Sequence, residues 1–190
     1  LGYPDLYDTG NGGNFGMGEF DLMDAGSYNG ESFCPPNYSA YEKWFAGWIT
    51  PTVLDKPTSV KGMQAQDVKY GQAFVVCNDN NKNEYYLIEN RQQSVGIWDN
   101  QLPASGMMIT HVDYDENVWS WNNVNTIVNY SNQYGSEYAY LDNDHQRLTI
   151  FHADNEEGTS VNSQAGDLYP YKDNNSLTDT SSPSAIIYQG

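Results

Sequence analysis

Histidine and cysteine are scarce in this chain. Only His111, His145 and His152 are present among 190 residues, and no two stand four apart, so no helix of this chain offers a metal two imidazoles on one face. The two cysteines, Cys34 and Cys77, allow one disulfide at most, and spacing alone does not decide whether they pair. Basic residues are few as well, with Lys and Arg totalling 8 against 25 Asp and Glu. The resulting net charge of -17 repels phosphate backbones and anionic lipid surfaces, which argues against nucleic-acid and membrane-surface binding. No apolar run approaches the roughly 18 residues needed to cross a bilayer. Charged residues make up only 17% while aromatics reach 14%, a balance that excludes a disordered acidic tail. The length allows one compact domain or two small ones, each with apolar residues to bury.

What is present is concentrated near the beginning. The run Leu1-Gly2-Tyr3-Pro4-Asp5-Leu6-Tyr7-Asp8 places a carboxylate just after a glycine that can turn the chain and a proline that stiffens the return. Eighteen positions past Asp5 comes Met23, in Gly18-Glu19-Phe20-Asp21-Leu22-Met23-Asp24-Ala25-Gly26-Ser27-Tyr28. Taken singly, the first run reads as loop punctuation and the second as an apolar filler; the pairing is what carries meaning. Both segments, with Ser39-Ala40-Tyr41-Glu42-Lys43-Trp44-Phe45 and the later phrases 84–92, 102–115 and 145–154, resemble the secreted immune inhibitor A-type zinc metallopeptidases, and the resemblance covers most of the chain.

That resemblance implies a metzincin-like arrangement. There the motif HExxHxxGxx is followed by a third zinc ligand, and a Met-turn floors the metal with a thioether. Asp5 then stands as the third zinc ligand and Met23 as the Met-turn methionine. Tyr28, just past that turn, is a candidate catalytic phenol near the developing oxyanion, against the plainer reading of a buried structural tyrosine. The family's second helix histidine would fall two positions before Leu1. HExxH is therefore absent, and this chain alone is expected to be inactive as an endopeptidase. Its expected partners are a protein or peptide substrate and the upstream half of the catalytic domain, and its expected location is secreted or at a bacterial cell surface.

Residues 1–37 read as ordered loop, rich in Gly, Asn and Asp. Ser39 and Glu42 have the S-x-x-E form of a capping box, which starts a helix that Pro51 closes at Thr50. Strand-like runs follow at 59–63, 73–77, 85–88, 107–112, 148–151 and 185–188, with a hairpin turn at 78–83. The fold class is thus mainly β with one or two helices. The resemblance implies that residues 1–50 are the lower subdomain of a metzincin-like catalytic domain, and the strand signals predict an antiparallel, sandwich-like β-rich domain over residues 51–190. The polar stretch 155–184 reads as a long surface loop.

Other groups invite a second cation. In a strand, His111, Asp113 and Asp115 would share one face. Asp142-Asn143-Asp144 opens like a calcium loop but lacks the later Gly and Glu of an EF-hand. Calcium at Asp113, Asp115, Asp142 or Asp144 therefore stands beside a structural role for each. Trp98, Trp119 and Trp121 fit core packing, or a stacking platform for sugars. The latter would suit the alternative function, a noncatalytic extracellular β-sandwich that binds glycan or protein.

Overall fold

A computed structural model describes residues 2–189. Its framework is a five-stranded sheet in the order β1-β2-β3-β4-β5, formed by Thr52–Val53, Ala73–Cys77, Glu84–Arg91, Gly106–Asp113 and Leu148–Ile150. β1 runs parallel to β2, and the other neighbours are antiparallel. The mainly β expectation holds, with a single sheet and short helices among the described residues. Those helices are α1 (Ala40–Phe45), α2 (Glu116–Ser120), α3 (Tyr130–Tyr134) and α4 (Val161–Gln164). Among the described residues, no helix is long and apolar enough to cross a membrane.

The strand registers explain which side chains are buried. Val75, Leu87 and Thr110 lie opposite one another across β2, β3 and β4, so they share a face, and Met108, Val112, Leu148 and Ile150 extend it. This face packs against Leu6, Phe15, Met17, Phe20 and Tyr41, so one apolar core draws on both sides of Pro51. The opposite face carries Tyr86, Ile88, Ile109 and Phe151, with Tyr169 and Leu177 packed against them. Both faces are therefore covered, which suits strands whose buried positions do not simply alternate.

The capping box forms as read: the Ser39 hydroxyl accepts from the Glu42 amide, and the Glu42 carboxylate accepts from the Ser39 amide at 2.8 Å. The helix ends at Phe45 instead of Thr50, because Gly47 at φ +73° turns the chain before Pro51 is reached. Two strand-like runs are not strands. Residues 59–63 have no ladder partner, and 185–188 lie as an extended segment held mainly by side chains, because apolar content alone supplies no neighbouring backbone to pair with. Cys34 and Cys77 are both free thiols.

Candidate functional site

The N-terminal loops fold back on one another around the Met23 turn. The Leu6 amide donates to the Met23 carbonyl at 2.9 Å, which ties the segment bearing Asp5 to the turn bearing the methionine. Gly16 sits where these pieces meet. Its φ is +71°, and a Cβ there would lie 2.2 Å from the Leu6 carbonyl oxygen and 2.6 Å from Asp24 Oδ2, so only glycine fits. The Asp24 carboxylate organises the same corner, accepting from the amides of Met17 at 2.8 Å, Gly18 at 2.9 Å and Ala25 at 2.7 Å. Burial pushes its pKa up to about 6, and those three amides oppose the shift.

Asp5, Met23 and Tyr28 meet in one pocket of about 370 Å³, completed by Tyr7, Leu22, Asp24, Ala25 and Ser27. Asp5 is half-buried and doubly gripped by Asn122. Its amide donates to Asn122 Oδ1 and its Oδ2 accepts from Asn122 Nδ2, each at 2.7 Å. Asn122 stands just past the last residues of α2 at φ +57°, a left-handed conformation that asparagine tolerates. The second carboxylate oxygen, Oδ1, accepts no hydrogen bond from the described residues, and Asp5 lines the pocket. The neighbouring Asp5 charge raises the pKa of the Tyr7 phenol. Gly2 adopts φ +77°, the left-handed turn that returns the chain toward Asp5. Met23 is partly buried against the core, whereas Tyr28 is exposed, its ring on the pocket wall instead of in the core.

Of the four other acidic candidates, Asp113 and Asp144 meet at His145 and Arg147, while Asp115 and Asp142 do separate work. Asp113 is buried and accepts from Arg147 Nη1 at 2.9 Å, with His145 Nε2 at 3.1 Å. Asp115 lies past the end of β4 and caps α2 through the Asn117 and Val118 amides, so it does not share the face of His111 and Asp113. Asp142 accepts from the Ser131 amide and hydroxyl. Asp144 is exposed and touches His145 Nδ1 at 2.6 Å. Among the described residues, no three His, Cys, Asp or Glu side chains are arranged to hold a metal ion. Trp119 packs on the core and donates to the Tyr41 hydroxyl, as core packing expects. Trp98 and Trp121 are instead exposed, and Trp98 shares a pocket of about 400 Å³ with Trp48.

A second cluster has no signature in the sequence. All three histidines line one cavity of about 330 Å³ between β4, β5 and the 183–188 segment. Each is backed by a carboxylate: His111 by Glu84 at 2.9 Å, His145 by Asp113, and His152 by Asp167 at 2.9 Å. The Tyr188 ring stacks on His145 with centroids 3.6 Å apart, and Glu84 accepts from the Tyr188 and Gln189 amides at 2.7 and 2.9 Å. These partners lie up to 105 positions apart, so no local pattern in the sequence marks them. Comparison with family models, with curated proteins and with solved structures returns no match.

Proposed function

We propose that this chain is the lower part of a secreted bacterial zinc endopeptidase, with Asp5 as the third zinc ligand and Met23 as the floor beneath the metal. The observation that carries the reading is the shared pocket: a carboxylate with one free oxygen stands beside a methionine whose turn is bonded to the same segment. Residues 1–50 act as the lower subdomain, and 51–190 as the sandwich-like β-rich domain behind it. Bound zinc supplies Lewis-acid polarisation of a scissile carbonyl. The chain's own residues do the rest. Asn122 aims the Asp5 carboxylate, and the Met23 thioether offers an apolar, polarisable surface that adapts to what lies above it. Tyr28, exposed on the pocket wall, brings a phenolic donor toward a bound peptide.

The remaining donors and the glutamate base belong to an HExxH helix upstream, so the test uses the chain extended to include it. That protein is expected to cleave denatured protein substrates, and Asp5→Ala to abolish the cleavage without unfolding it. Unchanged cleavage by Asp5→Ala sinks the ligand assignment. The second reading, a glycan-binding module, draws on the exposed Trp48 and Trp98 around a polar pocket. It takes precedence if the extended protein neither holds zinc nor cleaves.

A further inference from the structure

Six polar side chains are buried together beneath the Met23 turn. Asp21, Ser39, Glu42, Glu89, Arg91 and Asp99 are each at most 1% exposed. Burying ionised groups without partners costs several kcal/mol, so their pairing should close. It does not close with the protons usually assigned. Arg91 is committed to Asp99, donating from Nε at 2.9 Å and from Nη2 at 2.7 Å. Lys43 points its ammonium at Gln66, at 2.8 Å to the carbonyl and 3.0 Å to the side chain. Left without partners are Asp21 Oδ2 and Glu42 Oε1, with Glu89 Oε2 and Arg91 Nη1, which face each other at 3.7 Å.

The other oxygens of the first two are fully used. Asp21 Oδ1 accepts from the Met23 amide at 2.8 Å, and Glu42 Oε2 accepts from the Ser39 amide and hydroxyl. Asp21 Oδ2 and Glu42 Oε1 are thus two orphaned carboxylate oxygens of this cluster, and the Asp21 charge acts on Glu42. We infer that Asp21 and Glu42 share one proton, Glu42 Oε1 donating to Asp21 Oδ2, and that this buried acid–carboxylate bond makes both of them positioning residues for the Met23 turn. One proton satisfies both orphaned oxygens and removes one of two adjacent charges. It also links the turn to the first residues of α1, through Met23 N, Asp21, Glu42 and Ser39 in succession.

The surroundings favour keeping that proton. Around the pair stand Tyr3 and Asp24 from the loops, Tyr41 and Lys43 from α1, Glu89 and Arg91 from β3, and Asp99 from the 3₁₀ turn Asp99–Gln101. Burial, then the Asp21 charge, pushes Glu42 up to about 9, while the Ser39 groups and Arg91 oppose the shift. A folded-state value above the ordinary 4.5 means the native state holds the proton more tightly, so stability is lost as pH rises from 4.5 through about 9. The connection to catalysis rests on the peptidase reading, but the shared proton does not.

The test compares the wild-type chain with Glu42→Gln, whose amide can donate to Asp21 without titrating, and with Glu42→Ala. Between pH 5 and 9 the wild-type folding constant should fall relative to that of Glu42→Gln, by up to about tenfold per pH unit. Glu42→Ala should be less stable than both at pH 5. At pH 8, above the Asp24 titration, the protonated-carboxyl infrared band of wild type should be stronger than that of Glu42→Gln by one carboxyl. The Met23 methyl resonance should show a step at about pH 9 in wild type that is missing in Glu42→Gln, where only the Asp24 step at about 6 remains. Parallel pH profiles for wild type and Glu42→Gln with no such difference between their bands would overturn the shared proton, pointing to two ionised carboxylates held by water or a cation. A wild-type Met23 signal that lacks the step at about pH 9 would overturn the positioning role. Neither readout involves zinc or cleavage, so failure of the peptidase assignment leaves both outcomes legible.

Discussion

Asp5 is one of 25 acidic residues, and what distinguishes it is how it is held. Two reciprocal hydrogen bonds to Asn122 fix its backbone and one carboxylate oxygen, while the other oxygen stays free. Partners of this kind typically change metal affinity 10–100-fold when removed. Asn122→Gly is the informative change, since glycine keeps the left-handed turn after α2 and loses only the amide side chain. In the upstream-extended protein it should weaken zinc binding by about 10–100-fold in chelator competition, with folding nearly unchanged. At this scale the sequence singled out Asp5 and Met23 by resemblance, and they line one pocket, with Gly2 at positive φ before Asp5. It did not disclose Asn122, which is 117 positions from Asp5 and belongs to no motif.

Among the elements, the turn from Gly16 to Tyr28 is specified most tightly. It contains little regular structure, so its shape depends on the Asp24 carboxylate, the Leu6 to Met23 bond and the missing side chain at Gly16. Gly16→Ala adds a methyl at positive φ and drives it into the Leu6 carbonyl. The strain of that conformation alone is about 1–3 kcal/mol. The urea midpoint should fall by at least that equivalent at unchanged slope, because the surface exposed on unfolding stays the same. Local chemistry made some elements readable. Ser39 and Glu42 announced the capping box, and β-branched and aromatic runs announced β2 to β5. The runs 59–63 and 185–188 look equally strand-like, but a strand also needs a free neighbouring edge, which is a property of the whole fold.

Across the whole molecule, the core on one sheet face binds the N-terminal loops to β2 through β5, and the 153–189 segment covers the other face. The last part of that covering is electrostatic. Glu84 accepts two consecutive amides, and burial is outweighed by these bonds so that its pKa falls below the ordinary 4.5. A lowered value means stability that is present above 4.5 and lost as pH falls through the folded-state value. Asp113, likewise lowered, adds to the same acid sensitivity through its contact with Gln189. The Tyr188 and Gln189 amides should therefore lose hydrogen-exchange protection below the carboxylate range before β3 and β4 open. Glu84→Gln should expose them at neutral pH. Retained protection in Glu84→Gln would show that Tyr188 stacking on His145 holds the segment without the carboxylate.

The account depends most on a cation reaching the free oxygen of Asp5. The most direct measurement is the zinc content and affinity of the upstream-extended protein, compared with its Asp5→Ala variant after equal dialysis. About one zinc per chain in the parent and a large loss in the variant are expected, since three protein ligands are needed to hold the metal with an open position. Equal zinc content and equal affinity in the two proteins would contradict it.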